Sequence, residues 1–308
     1  MQVTNSLMKK FIIIFSIVLI YACSKTDAAD NIPDVVPDDE IITIPVVVHI
    51  VNYAPNPFDI SDEKIFSQIA VLNKDFRKRN VDVTNVPDEF VHLAADTKIQ
   101  FKLAVIDPLG NATTGIIRSS SEVTGWDGKT SVFDETAIEN FKLYYSDKGG
   151  QDAWQKNYLN IWIADLSDRH GNLGLGGYAT FPGADPRIDG VVIDPRVFGT
   201  LPPLIKNFDL GRTLTHEIGH WLNLLHIYGK DGDCEEGDLI DDTPTQKSQY
   251  LGVPSYPQNS CETNDMYMNF MDRVNDNAMY MFTHGQKKRM RSVFNKNKAR
   301  RSLYISSK

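Results

Sequence analysis

The sequence predicts an α+β fold, in which a twisted mixed sheet with helices precedes an irregular region closed by a helix. Up to about residue 224, apolar β-branched runs alternate with segments of helical periodicity. The stretch 228–263 is instead rich in Gly, Pro, Asp and Glu. A chain of 308 residues, 42% hydrophobic and without an evident repeat, suffices for one large domain with a substantial core.

The individual elements follow from these patterns. A helix is predicted over 61–78, because apolar residues recur at helical spacing behind the N-cap candidate Ser61. A second helix is predicted over 210–224, and a last one over 283–298, opened by a capping box of Thr283 and Gln286. The predicted strands have apolar or alternating patterns and cover 41–51, 98–105, 159–164, 174–181 and 190–193.

The N-terminus has the features of a targeting segment. Lys9 and Lys10 precede an apolar run over 11–21, too short for a membrane span of about 20 residues. The run ends in Ala22-Cys23, which resembles a bacterial lipoprotein signal and implies lipid attachment to Cys23. An ordinary secretory signal with an incidental cysteine is the alternative. We expect a signal peptide over 1–22, a lipidated tether or short pro-segment over 23–42, and an exported protein, anchored to the outer membrane or cell surface, or secreted.

The charge and the cysteine content narrow the class of protein further. A net charge of −8 argues against nucleic acid as a partner. If Cys23 is lipidated, Cys234 and Cys261 remain as an even pair in an exported chain that can be oxidised. We therefore predict a disulfide, with two free thiols as the alternative. The final ten residues, 299–308, are predicted to be a basic, frayed tail.

The most informative motif is His216-Glu217-Ile218-Gly219-His220, followed six residues later by His226. On a helix, His216 and His220 share one face and can chelate one Zn²⁺, with Glu217 placed to hold a metal-bound water. His226 joins them only if the chain turns sharply after the helix. Three imidazoles leave one coordination position open, as in catalytic rather than structural zinc sites. The alternative is a chance match in an ordinary helix, and the third histidine disfavours it.

This spacing resembles that of the metzincin metalloproteases, and Asn269-Phe270-Met271-Asp272 resembles their tight turn with a methionine beneath the zinc ligands. Further segments are similar to the pappalysin family of metzincins, in its bacterial cytophagalysin-like branch. They are Ile44–His49, Val71–Phe76, Thr114–Ile116, Tyr158–Ile163, Gly177–Pro182, Asp189–Asp194 and Asp242–Pro244.

The resemblance covers roughly residues 43–297 and implies a metzincin-like catalytic domain over 43–298, with an upper part over 43–223 and a lower part over 224–298. It implies that His216, His220 and His226 bind zinc, that Glu217 is the general base and that Met271 is the turn methionine. The implied activity is a zinc endopeptidase that hydrolyses peptides or proteins by Glu-assisted attack of a zinc-bound water. We separately expect a monomer. Two alternatives stay open: a zinc-bearing binding lipoprotein with weak or lost catalysis, and a surface protein without metal.

The resemblance also implies structural Ca²⁺ in the lower part, where acidic side chains offer hard oxygen ligands. A solvated acidic loop is the alternative. The candidate ligands are Asp231, Asp233, Glu235, Glu236, Asp238, Asp241 and Asp242.

Two positions depart from the family pattern. Asn223 stands where the helix must break and glycine is usual; asparagine is the non-glycine residue that best tolerates the left-handed conformation. Arg273 stands where the family often has a tyrosine that stabilises the oxyanion. Arg273 could offer a cation to the oxyanion or contact the substrate, or it could point elsewhere.

The substrate is expected to pair with an edge strand above the cleft that contains Gly176, Gly177 and Tyr178; a simple bulge or turn is the alternative. The relatives' preference for a basic residue after the scissile bond makes Asp272 and Asp276 candidates for recognising it. An acidic residue within 34–40 is a candidate cap on the zinc before processing.

Overall fold

Six strands form one sheet in the computed structural model of the chain, which describes residues 32–55, 57–122, 126, 142–155, 157–167, 174–230 and 232–308. The spatial order is β2-β1-β4-β6-β5, with β3 also paired to β1. All pairs are parallel except β5 with β6, which confirms the predicted mixed sheet. The strands are β1 (Ile42–Tyr53), β2 (Ile99–Leu103), β3 (Ile116–Ser121), β4 (Leu159–Ile163), β5 (Gly177–Ala179) and β6 (Gly190–Ile193).

Strand β1 pairs with three other strands of the sheet. Its residues 42–46 pair with β2 and its residues 48–53 pair with β3, while β4 pairs with residues 46–50 along the other edge. Its central side chains are buried, as expected for a parallel strand covered on both faces. His49 lies among them, fully buried and bonded through Nε2 to Asn160 Oδ1 at 3.0 Å.

Helices pack on this sheet as the apolar periodicity predicts. Ser61 caps the first helix by accepting a hydrogen bond from the Lys64 backbone, and this helix contacts β2 and the third helix. The helices are α1 (Asp62–Asp75), α2 (Asp88–Val91), α3 (Arg212–Trp221), α4 (His284–Ser292) and α5 (Arg301–Ser306). Within the described ranges, every helix is too short or too polar to cross a bilayer.

The C-terminal region differs from the prediction. The capping box of Thr283 and Gln286 opens α4 as expected, but the helix ends at Ser292 instead of continuing to residue 298. Asn297, in the segment that follows, adopts a positive φ of 63°. The expected basic tail is wrong as a description of 301–306: these residues form α5, which contacts β1 and buries Tyr304 completely.

The acidic segment 33–41 also differs from the expected tether. It belongs to the compact unit Pro33–Lys308 and packs against the C-terminal region. Asp38 pairs with Lys287 at 2.9 Å, and Glu40 accepts a hydrogen bond from Tyr304 at 2.9 Å. These contacts engage Asp38 and Glu40 with the C-terminal region, and the cap on the zinc before processing stays a prediction. The signal segment and Cys23 lie outside the described residues.

The lower part is irregular, as predicted. Between 228 and 263 the described residues contain no helix or strand. Cys234 and Cys261 form a disulfide with their Cα atoms 5.7 Å apart, which confirms the predicted pair. The covalent link closes a loop that has little regular hydrogen bonding of its own.

Candidate metal centre and cleft

The three motif histidines converge on one point. The Nε2 atoms of His216, His220 and His226 lie 3.1 Å from one another in every pair. Tetrahedral zinc with Zn–N distances of about 2.0–2.1 Å separates its nitrogen ligands by about 3.3 Å, so the triangle fits such an ion. Among the described residues, this is the one group of three or more potential metal-ligating side chains whose ligand atoms come together.

Backbone carbonyls orient two of the rings. Nδ1 of His216 lies 2.7 Å from the Phe270 oxygen, and Nδ1 of His220 lies 2.8 Å from the Leu224 oxygen. Because a carbonyl can only accept, each Nδ1 carries the proton and each Nε2 presents a lone pair. Burial lowers the pKa of His220 to about 4 and that of His226 to about 3, which keeps these rings neutral as metal ligands must be.

The end of α3 explains how His226 returns to the site. Asn223 has φ 79°, as the sequence predicts for the helix break. Its N–H donates to the His220 oxygen at 2.8 Å, and the Leu224 N–H donates to the Gly219 oxygen at 2.9 Å. This is a Schellman motif with asparagine in the place usually taken by glycine. The turn reverses the chain, so His226 faces the helix that it has just left.

A tight turn lies beneath the histidines. The Asp272 N–H donates to the Asn269 oxygen at 3.1 Å, and Asn269 and Gln286 exchange two side-chain hydrogen bonds that tie the turn to the start of α4. Met271 is fully buried, and its sulfur lies where a side chain at Gly219 would begin, 2.4 Å from an ideal Cβ. A glycine in the middle of α3 therefore makes room for the methionine.

Glu217 lies beside the histidines at the floor of a cleft of about 770 Å³. Burial raises the pKa of its carboxyl to about 8, and the positive charge of Arg273 opposes that rise. A divalent cation at the histidines would favour the ionised form further. Gly177 lies against the Glu217 side chain, since a Cβ on it would be 3.2 Å from Glu217 Cγ.

The other predicted cleft residues divide into two groups. Gly176, Gly177 and Tyr178 line the cleft along β5, the last strand of the sheet, and Arg273 lies exposed at its rim. Asp272 also borders it, but its carboxylate accepts hydrogen bonds from Gln246 at 2.8 Å and the Tyr250 backbone at 2.9 Å. The Asp272 carboxylate is therefore engaged within the lower part.

Three of the acidic residues offered for calcium, Asp233, Asp238 and Asp242, accept hydrogen bonds from the protein itself. Asp238 accepts a hydrogen bond from the Ile240 backbone at 3.1 Å, and Asp242 accepts from Thr283 at 2.7 Å and the Gly285 backbone at 2.8 Å. Asp242 thus supports the start of α4. Asp231 lies outside the described residues, and calcium binding stays a prediction.

Sequence reasoning missed several side chains that surround the site. Phe181 packs near the His220 ring with centroids 5.6 Å apart, and Tyr228 stacks on His226 at 4.8 Å. Arg300 contacts Trp221 at the end of α3 from far along the chain. No local sequence pattern predicts such contacts, because they depend on how distant segments pack.

A mixed sheet, a helix carrying two histidines and a return turn carrying the third define a metalloprotease-type catalytic domain. The Peptidase_M43 family model, described as Pregnancy-associated plasma protein-A, matches residues 144–295. An extracellular metalloprotease of Pyricularia oryzae is 32% identical over 286 residues, which cover 89% of this chain and 82% of that protein. The chain therefore belongs to this pappalysin-like family of metalloproteases.

Solved structures agree with that assignment. Mature mirolysin of Tannerella forsythia in complex with a cleaved peptide is 42% identical, with a TM-score of 0.78 over 87% of this chain and 97% of that one. A promirolysin mutant of the same organism has the same identity and TM-score and is covered to 86%. This similarity confirms the predicted α+β, metzincin-type fold.

Proposed function

We propose that the protein is a zinc-dependent endopeptidase in which His216, His220 and His226 hold the metal and Glu217 is the general base. The observation that carries the proposal is the Nε2 triangle of 3.1 Å sides at the floor of a cleft that Glu217 also lines. Neutral imidazoles with fixed Nδ1 protons are the ligands that zinc prefers in open catalytic sites.

When bound, zinc supplies a Lewis acid that polarises the scissile carbonyl and lowers the pKa of a coordinated water toward about 7. Glu217 takes the proton from the attacking water and passes it to the nitrogen of the leaving amine. Phe270, through its carbonyl, keeps His216 in the correct tautomer, and the buried Met271 supports α3 from below.

Substrate pairs with β5. Among the described residues β5 has one strand neighbour, β6, and it ends the sheet on the cleft side. An extended peptide adds to such an edge through backbone hydrogen bonds. The absence of side chains at Gly176 and Gly177 lets that peptide approach Glu217 closely.

Arg273 is assigned to the negative charge that develops on the scissile oxygen. Its side chain is exposed at the cleft, and its charge acts on Glu217 and on all three histidines. A preorganised cation near a developing oxyanion stabilises the transition state more than the ground state. Arg273 thus takes the place of the tyrosine expected from the family pattern.

The protein is exported, in keeping with relatives named extracellular metalloproteases. We assign residues 1–22 to a signal peptide and Cys23 to a lipid anchor, with 24–32 as the tether. Because 33–41 and 301–306 pack on the sheet and helices, the catalytic unit extends over 33–308 instead of 43–298. A basic residue after the scissile bond fits Asp276, which borders the cleft. Its Oδ2 accepts hydrogen bonds from the Leu210 and Arg212 backbones at 2.8 and 3.3 Å, whereas its buried Oδ1 has no hydrogen-bond partner in the described chain.

The test is cleavage of a mixed peptide library by the chain from Ser24 onward, beside Glu217→Gln, with zinc measured in both proteins. We expect zinc in both and cleavage by the parent alone, with the cleavage sites giving the side-chain preference. Equal zinc with no cleavage by either protein would instead support a zinc-bearing binding lipoprotein. Absence of zinc from both would contradict the proposed ligands.

A further inference from the structure

Arg300 contacts the end of the helix that carries two of the histidines. Its side chain is 3% exposed, and its guanidinium lies 3.6 Å from the centre of the Trp221 ring. Its Nε donates to the Trp221 oxygen at 2.9 Å. Trp221 directly follows His220, so Arg300 supplies both a donor and a positive charge at the C-terminus of α3, where carbonyls lack helical partners.

The same guanidinium also holds the loop between β5 and β6. Nη1 and Nη2 of Arg300 donate to the two carboxylate oxygens of Asp189 at 2.8 and 2.9 Å. Asp189 also accepts from Trp221 Nε1 at 3.1 Å and from Thr180 at 3.1 Å. Asp189 immediately precedes β6 and Thr180 immediately follows β5, so both flank the loop of the β5–β6 hairpin. One bidentate ion pair therefore joins the loop end of this hairpin to the end of α3.

This joint lies beside the proposed site. Phe181, next to Thr180, packs near the His220 ring, and β5 contacts α3. The separation between the edge strand and the histidines is therefore set at one end by Gly177 against Glu217 and at the other by Arg300.

We propose that Arg300 is a positioning residue, which holds β5 at the distance from α3 that a bound peptide requires. Its effect on substrate rests on the proposed endopeptidase function, but the placement of β5 can be measured without any activity. A C-terminal residue that appeared to belong to a basic tail thereby becomes part of the catalytic unit. Loosening the joint weakens peptide binding to β5 more than it slows the chemistry at Glu217, since Glu217 and its helix keep their other contacts.

The experiment compares Arg300→Ala and Arg300→Lys with the control Arg301→Ala. Arg301 is the adjacent cation, and it contacts the Pro33 oxygen, the Phe294 oxygen and the Tyr304 ring. Amide hydrogen exchange is followed by mass spectrometry in the segments containing β5, β6, α1 and β2. Steady-state kinetics use a fluorogenic peptide built from a sequence that the parent cleaves.

For Arg300→Ala we expect faster exchange in β5 with α1 and β2 unchanged, and a KM raised about tenfold while kcat stays within about twofold. Arg300→Lys should recover part of both effects, because it keeps one hydrogen bond to Asp189, and Arg301→Ala should match the parent. Unchanged exchange in β5, or exchange raised equally in α1 and β2, would overturn the proposal. If the parent cleaves no peptide, the proposed function fails, while the exchange comparison still decides the role of Arg300.

Discussion

Replacing Gly177 with alanine tests the close approach of β5 to the proposed general base. An ideal Cβ at this position would lie 2.8 Å from the Val192 backbone oxygen, 3.0 Å from Ile193 Cδ1 and 3.2 Å from Glu217 Cγ. Ordinary C···O contacts begin at about 3.3 Å, so the oxygen of the neighbouring strand would have to move by about half an ångström. The Glu217 side chain would be pushed in the same adjustment.

The expected loss of stability and activity follows from adding a methyl group to a region that has no space for it. One extra methyl without space typically costs about 1–3 kcal/mol of folding free energy. In a domain of this size, each kcal/mol lowers the melting temperature by about 2–4 °C. A displacement of a catalytic carboxylate approaching 1 Å reduces turnover by up to about a hundredfold. Gly177→Ala should therefore lose far more activity than stability.

The assay measures melting temperature and kcat on the same preparations, with Gly174→Ala as the matched control. A Cβ at Gly174 meets no atom of the described residues within 4 Å, so this variant should behave like the parent. A Gly177→Ala protein with parental melting temperature and parental kcat would show that β5 does not approach Glu217 this closely.

Four further outcomes are expected. Asn223→Gly should keep or slightly raise stability, whereas Asn223→Val should cost about 1–2 kcal/mol in denaturant unfolding, because its φ of 79° is strained for a branched side chain; equal stability of the two variants would contradict the Schellman turn. Cys234→Ser opens the link between residues 27 apart and should cost about 3 kcal/mol, a loss that reductant should reproduce in the parent but not add to in the variant. Arg273→Gln should lower kcat about tenfold with little change in KM, and Arg273→Lys should retain more; a change confined to KM would assign Arg273 to substrate binding. Burial lowers the pKa of His49 from 6.5 to about 4, so between about pH 6.5 and pH 5 the unfolded chain takes up a proton that the folded chain excludes, and about 2 kcal/mol of stability is lost as the pH falls; His49→Gln should lose less stability over the same range, and an identical pH dependence would show that His49 is not the group responsible.

Local signals predicted much of this molecule. The two histidines on α3 and the αL turn at Asn223 follow from helical spacing and backbone preference, and Ser61 and Thr283 mark helix starts by capping. The disulfide followed from counting cysteines in an exported chain. In each case the physical cause lies within a few residues or in composition.

The misassigned features depend on distant contacts. The basic composition after residue 298 suggested a solvated tail. Instead, Tyr304 of α5 is buried and donates a hydrogen bond to Glu40, and α5 contacts β1. The acidic composition before residue 42 likewise suggested a solvated tether, because charged segments with few large apolar residues are usually exposed. Acidic residues of the first described segment pair with basic residues of the C-terminal region. Residues so far apart in sequence produce no periodic pattern from which their contact could be predicted.

Zinc titration of chelator-treated protein, with bound metal and peptide cleavage measured together, tests whether the three histidines hold a catalytic zinc. Cleavage by the parent should return in proportion to added zinc and saturate at about one ion per chain, as expected for a single site with three imidazole ligands. Glu217→Gln should bind the same amount without cleaving, and His226→Ala should bind zinc more weakly. Cleavage by Glu217→Gln at the parental rate, or cleavage by the parent that does not depend on metal, would show that Glu217 and the zinc do not carry the reaction.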